Sequence, residues 1–120
     1  MRMVLNGEVV DTSPGGGIYS AEETRIGTWK NGKPLYRRVI SCTTPDKVNS
    51  EEVCNPEDFS YIEELTNLHG GINSVPINAY WGPDSHYIFI RLVNDQFTAR
   101  TTHYTNQTFN VTIEYTKTTD

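Results

Sequence analysis

Thr24-Arg-Ile-Gly-Thr-Trp-Lys-Asn-Gly-Lys-Pro-Leu-Tyr-Arg-Arg-Val-Ile40 sets two β-prone runs on either side of Asn31-Gly32. Asn-Gly is the dipeptide that best tolerates positive φ at both central residues of a type I′ turn, whose twist matches that of the flanking strands. The stretch predicts a hairpin with arms over roughly 23–30 and 33–43. Trp29 and Tyr36 fall on opposite arms and are expected as cross-strand packing partners. Pro34 has no N–H for a ladder, which fits an edge or a strand start. In the second arm Leu35, Arg37, Val39 and Ser41 alternate with Tyr36, Arg38, Ile40 and Cys42. Neither face is purely apolar, so this strand is expected near a sheet edge or an interface.

Upstream, residues 3–10 hold a smaller Asn-Gly hairpin candidate, followed by the flexible joint Asp11-Thr-Ser-Pro-Gly-Gly-Gly17. Residues 1–17 are therefore read as an N-terminal hairpin and joint, and 18–120 as the head domain. Downstream, 44–58 contains two prolines and reads as a polar loop. Phe59, Ile62, Leu65 and Leu68 then match a helical face that Asp58 caps. Val75–Tyr80 is a short extended piece and Trp81–Ser85 a turn. His86–Val93 is apolar on both faces and predicts a central strand between two layers. Asn94–Gln96 turns the chain into a strand from Phe97 to Thr102. In the last strand Phe109, Val111, Ile113 and Tyr115 face the core, and Asn110, Thr112 and Glu114 face solvent. The expectation is an all-β, antiparallel, jelly-roll-like sandwich of about seven to nine short strands.

Composition agrees. In 120 residues, Tyr and Thr are frequent and Leu is scarce, which suits twisted sheets. The net charge of −5 argues against nucleic-acid binding, whose usual footprint is a basic face; the clustered cations are only Lys30, Lys33, Arg37 and Arg38. No apolar run is long enough for a helical membrane span, and the N-terminal apolar stretch breaks too early for a signal peptide. Cys42 and Cys54 make neither a disulfide framework nor a zinc site; they read as free, partly buried thiols of a chain made in a reducing cytosol.

The pairs Glu22-Glu23, Glu51-Glu52 and Glu63-Glu64 are sequence neighbours, which point to opposite faces of a strand and cannot act as one hydrolytic pair. His69, His86 and His103 lack metal-ligand spacing. No nucleophile elbow or phosphate loop is present. The chain reads as non-enzymatic, with no cofactor and no metal. Binding remains. Tyr80, Trp81, Asp84 and His86 place aromatic rings beside groups that bond hydroxyls, on a loop where ligand sites commonly sit. The competing reading, which the weight of large aromatics in core energetics favours, is that Tyr80 and Trp81 plug one end of the core.

Tyr19-Ser-Ala-Glu-Glu-Thr-Arg-Ile-Gly-Thr-Trp-Lys-Asn-Gly-Lys-Pro-Leu-Tyr36 resembles a segment recurrent in virion structural proteins of phages and prophages of Gram-positive and gut bacteria. Ile113-Glu-Tyr-Thr-Lys-Thr-Thr-Asp120 is similar to the terminus of the same family. The resemblance implies the C-terminal domain of a tail-fibre-like appendage: β-rich, commonly a homotrimer, located in the virion after synthesis in the host cytoplasm, and in contact with other virion proteins. It implies a host-recognition role, with a bacterial surface polysaccharide as possible ligand. The alternatives are a trimerisation, capsid or baseplate module without host ligand, or a glycan hydrolase. It also implies strand rather than helix over 59–68, against the periodicity, and a natural chain end at Asp120. In a trimer, Tyr36, Ile40, Tyr87 and Phe89 are expected to share faces between copies; Trp29 is expected in packing.

Overall fold

The computed structural model describes residues 21–72, 75–79 and 86–120, together with the backbone of two strands near the N-terminus. These are β1 (Arg2–Leu5) and β2 (Glu8–Asp11), paired antiparallel as a hairpin. The remaining strands are β3 (Thr24–Thr28), β4 (Pro34–Thr43), β5 (Glu52–Asn55), β6 (Ile62–Ile72), β7 (Val75–Pro76), β8 (Ile88–Val93), β9 (Gln96–Thr101) and β10 (Thr108–Lys117). They form two antiparallel sheets, one ordered β3-β4-β10-β6-β7 and one ordered β5-β9-β8. The fold is an all-β sandwich, as the alternation of apolar and polar residues predicts.

The core lies between the two sheets. Ile40, Cys42, Val111, Ile113 and Tyr115 supply one layer, and Cys54, Ile88, Ile90, Phe97 and Ala99 the other. Phe59 enters from the loop between β5 and β6 and meets Phe97 edge-on, with ring centroids 4.8 Å apart. β10 is the middle strand of the larger sheet, and its outer face is more covered than its polar sequence predicts. Thr112 and Thr116 are buried and Glu114 is half-buried, its carboxylate held by Arg37 at 2.8 Å.

The central hairpin forms where expected, but its turn differs. Gly32 N–H donates to the Trp29 carbonyl at 2.8 Å and Trp29 N–H to the Lys33 carbonyl at 2.8 Å, leaving a three-residue loop. Only Gly32 has positive φ there, at 86°, so this is a turn closed by a glycine bulge rather than type I′. The added residue and a bulge at Ile26 shift the arms: Tyr36 opposes Arg25, and Trp29 and Tyr36 are not cross-strand partners. The two-residue turn with both φ positive joins β8 to β9 at Asn94 and Asp95, with φ of 49° and 64°. Asn and Asp tolerate that region because their short polar side chains bond locally.

Residues 62–72 are strand, and the helical spacing of Ile62, Leu65 and Leu68 has a specific cause. β10 pairs Leu68 with Ile113, Asn67 with Glu114, Leu65 with Tyr115, Glu64 with Thr116 and Ile62 with Lys117. Thr66 and Glu63 are thus extra residues, one in each of two β-bulges. Each bulge adds one to the strand period of two, so inward side chains recur every third residue.

Two further expectations are corrected. The polar stretch 44–58 is not all loop, since Glu52–Asn55 is an edge strand too short for an apolar pattern to show. β8 is not central: it ends the smaller sheet, and its apolar outer residue Phe89 is covered by Tyr87 at a ring distance of 4.4 Å. Its open edge is closed by Asn78, whose N–H donates to the Ile88 carbonyl at 2.7 Å and whose Oδ1 accepts the Ile90 N–H at 2.8 Å.

Candidate functional site

Of the sequence-predicted ligand residues, Tyr80, Trp81 and Asp84 lie outside the described residues. His86 stacks on His103 with ring centroids 3.8 Å apart and meets Tyr104 edge-on. Tyr104 sits beside Thr44, at the end where β10 begins. Ile40 is buried in the core between the sheets, and Tyr87 is buried beside Phe89 on the outer face of β8. Tyr36, Trp29 and Phe89 are half-buried. No group of three His, Cys, Asp or Glu among the described residues could hold a metal ion. No helix among them is long and apolar enough to cross a membrane.

A different site forms at the opposite end of β10. An open cleft of about 580 Å³ is lined by Ala21, Glu22, Glu23, Arg38, Tyr61, Lys117 and Thr119. Strand alternation builds its floor. Tyr36 and Arg38 share the inward face of β4 with Ile40, and the register sets Tyr36 opposite Tyr115. At this end the inward positions hold tyrosines and cations rather than aliphatic side chains. The rings still pack: Tyr61 lies edge-on to Tyr115 at 5.6 Å, and Tyr36 is 6.1 Å from Tyr115. Their hydroxyls and the nearby charges form a polar rim.

Every cation in this rim has an anion. Arg38 grips Glu57 with two parallel bonds of 3.0 and 3.2 Å, donates to the Tyr61 hydroxyl at 2.9 Å, and donates to the Ala21 carbonyl at 3.2 Å. Burial works against the Arg38 cation, but the bonds to Glu57 and Tyr61 outweigh it, and its pKa is raised. Glu23 accepts the Tyr115 hydroxyl at 2.6 Å and pairs with Lys117 at 2.5 Å. Burial first, and then the bond to Glu23, push the Tyr115 phenol well above its ordinary value. The bond to Glu23 raises Lys117, and a bond to Asp120 raises the Tyr36 phenol. The Lys117 ammonium also lies 4.6 Å from the Tyr36 ring centroid.

Sequence reasoning missed this cleft because its residues are scattered: Glu23 and Tyr115 are 92 positions apart. One signal was present. Glu22 and Glu23 belong to the segment 19–36, and Tyr115, Lys117 and Thr119 to the segment 113–120, both singled out in the sequence.

Glu57 spends both oxygens on Arg38, and Glu23 is shared between a phenol and an ammonium. Set beside known proteins, the chain matches no family model, no curated protein and no solved structure.

Proposed function

We propose that this domain is the non-enzymatic, host-recognition head of a phage or prophage tail appendage, and that the Tyr61 cleft holds a bacterial surface glycan. The observation that carries the reading is the meeting of two distant segments. The stretches resembling virion appendage proteins lie at opposite ends of the domain, and both supply side chains to one cleft. The chemistry of the cleft supports a saccharide. Tyr61 offers an apolar ring, and the Glu22, Glu23, Arg38 and Thr119 side chains offer donors and acceptors for hydroxyls. Because Arg38 and Lys117 already have anionic partners, the cleft favours a neutral polyhydroxyl ligand over a strongly charged one.

A structural module without host ligand is the second reading. The half-buried Leu35 and Val39 on the outer face of β4 favour it, because they offer an apolar patch to a neighbouring copy. Binding of the purified domain to a panel of cell-wall polysaccharides, together with its mass in solution, separates the two. Saturable binding by a homotrimer supports the recognition head. A trimer that binds no polysaccharide supports the structural module.

A further inference from the structure

We propose that Cys42 and Cys54 are a disulfide-forming site, a lock between the two sheets that closes when the folded chain meets a disulfide oxidant. The sequence places these cysteines in different elements, and the fold brings them together. Cys42 is on the inward face of β4 and is 0% exposed. Cys54 is the extra residue of a β-bulge in β5: Val53 pairs with Thr98 and Asn55 with Phe97, leaving Cys54 unmatched. The bulge re-aims the strand. Val53 points out at 49% exposure, whereas Cys54 and Asn55 are both buried, at 6% and 8%.

Packed sheets usually stand about 10 Å apart, too far for a disulfide between facing backbones. Here the sheets come closer. The Asn55 side-chain amide donates to the Ser41 backbone carbonyl at 2.9 Å, one residue away from each cysteine. Both thiols are free, and Cys54 Sγ meets the Phe97 carbonyl at 3.4 Å. Interaction with Cys54, and burial after it, push the Cys42 thiol well above its ordinary value, while interaction with Cys42 lowers Cys54. Cys54, on the short edge strand, is the thiol that an oxidant reaches first.

The step balances by thiol–disulfide exchange with an external small-molecule disulfide such as oxidised glutathione. The Cys54 thiolate attacks one sulfur of the oxidant and expels the first small thiol. Cys42 then attacks Cys54 Sγ, forms the Cys42–Cys54 bond, and expels the second. Two electrons pass to the oxidant, and the two protein thiol protons leave on the released thiols. Entry runs through β5, a four-residue strand that pairs with β9 alone. Short edge strands open at lower free energy than the core. The lock is independent of what the cleft binds.

The test is incubation of the folded full chain with oxidised glutathione, followed by a non-reducing peptide map and thermal melts with and without reductant. The expected product is a chain lighter by two hydrogens and not covalently joined to another, with one linked peptide pair holding Cys42 and Cys54. Its melting temperature is expected to be about 10 °C above that of the reduced chain, because the bond closes a short loop in the unfolded state. Cys42→Ser and Cys54→Ser chains, if they fold, form no internal link. Two free thiols after incubation of the folded chain in oxidant, links only between chains, or a linked chain that melts below the reduced one would each overturn the proposal.

Discussion

The Trp29 indole N–H donates to the Glu64 carboxylate at 3.2 Å, joining the turn after β3 to β6 across the intervening strands β4 and β10. Lys33, at the other side of the same turn, pairs with Glu63 at 2.5 Å and donates to the Lys117 carbonyl at 3.3 Å. The hairpin is thus folded back over the end of its own sheet. Glu63 is one of the two bulge residues of β6, so the bulge that spoils the strand period also presents an anchor to Lys33.

Trp29→Phe keeps an aromatic ring and removes the N–H. It is expected to lower unfolding free energy by about 1 kcal/mol in urea denaturation. A double-mutant cycle with Glu64→Ala should return a coupling of about 0.5–1 kcal/mol. Zero coupling would mean that the bond across the sheet does not contribute to stability.

Two glycines should behave oppositely. A Cβ on Gly70 would stand 2.7 Å from the Asn110 carbonyl oxygen and 3.3 Å from Val111 Cα, both backbone atoms of the paired strand. Neither can turn aside, so Gly70→Ala is expected to cost about 2 kcal/mol or more. Gly27→Ala has open space around the added carbon and should stay within about 0.5 kcal/mol of the parent. Equal effects in chemical denaturation would contradict the close approach of β6 and β10.

Alkaline pH should loosen the cleft. The Tyr115 phenol is raised in the folded state by burial and then by Glu23. A folded pKa above the unfolded one means that the native state binds more protons, so this contribution is complete below about pH 10 and is lost as pH rises further. Tyr36 and Lys117 are raised as well and act in the same direction. Stability followed from pH 8 to 11 should fall at the upper end, and fall less steeply in Tyr115→Phe, which keeps the ring. An equal slope in both chains would show that Tyr115 does not titrate with unfolding.

The fold was legible where strand alternation is regular. Val111, Ile113 and Tyr115 read as core from sequence and are core in the structure. Several of the misreadings share a cause: added residues. One extra residue in the Lys30–Gly32 loop changed the turn, and Ile26 in a bulge set Tyr36 opposite Arg25. Thr66 and Glu63 gave β6 a helical spacing, and Cys54 hid β5 in a polar stretch. A bulge is a pairing property and leaves no mark in a single strand's pattern. The cleft was illegible for a different reason. Glu23, Arg38, Tyr61 and Lys117 come from four separate segments, and only the strand register brings them together.

Amide chemical shifts recorded while a host cell-wall polysaccharide fragment is titrated into the domain test whether a saccharide occupies the Tyr61 cleft. The changes are expected to concentrate on Glu22, Glu23, Arg38, Tyr61 and Lys117. Tyr61→Ala, which removes the ring but leaves the Arg38–Glu57 pair, should weaken binding about tenfold or more. Shifts gathered instead around His86 and His103, or none at saturating saccharide, would contradict it.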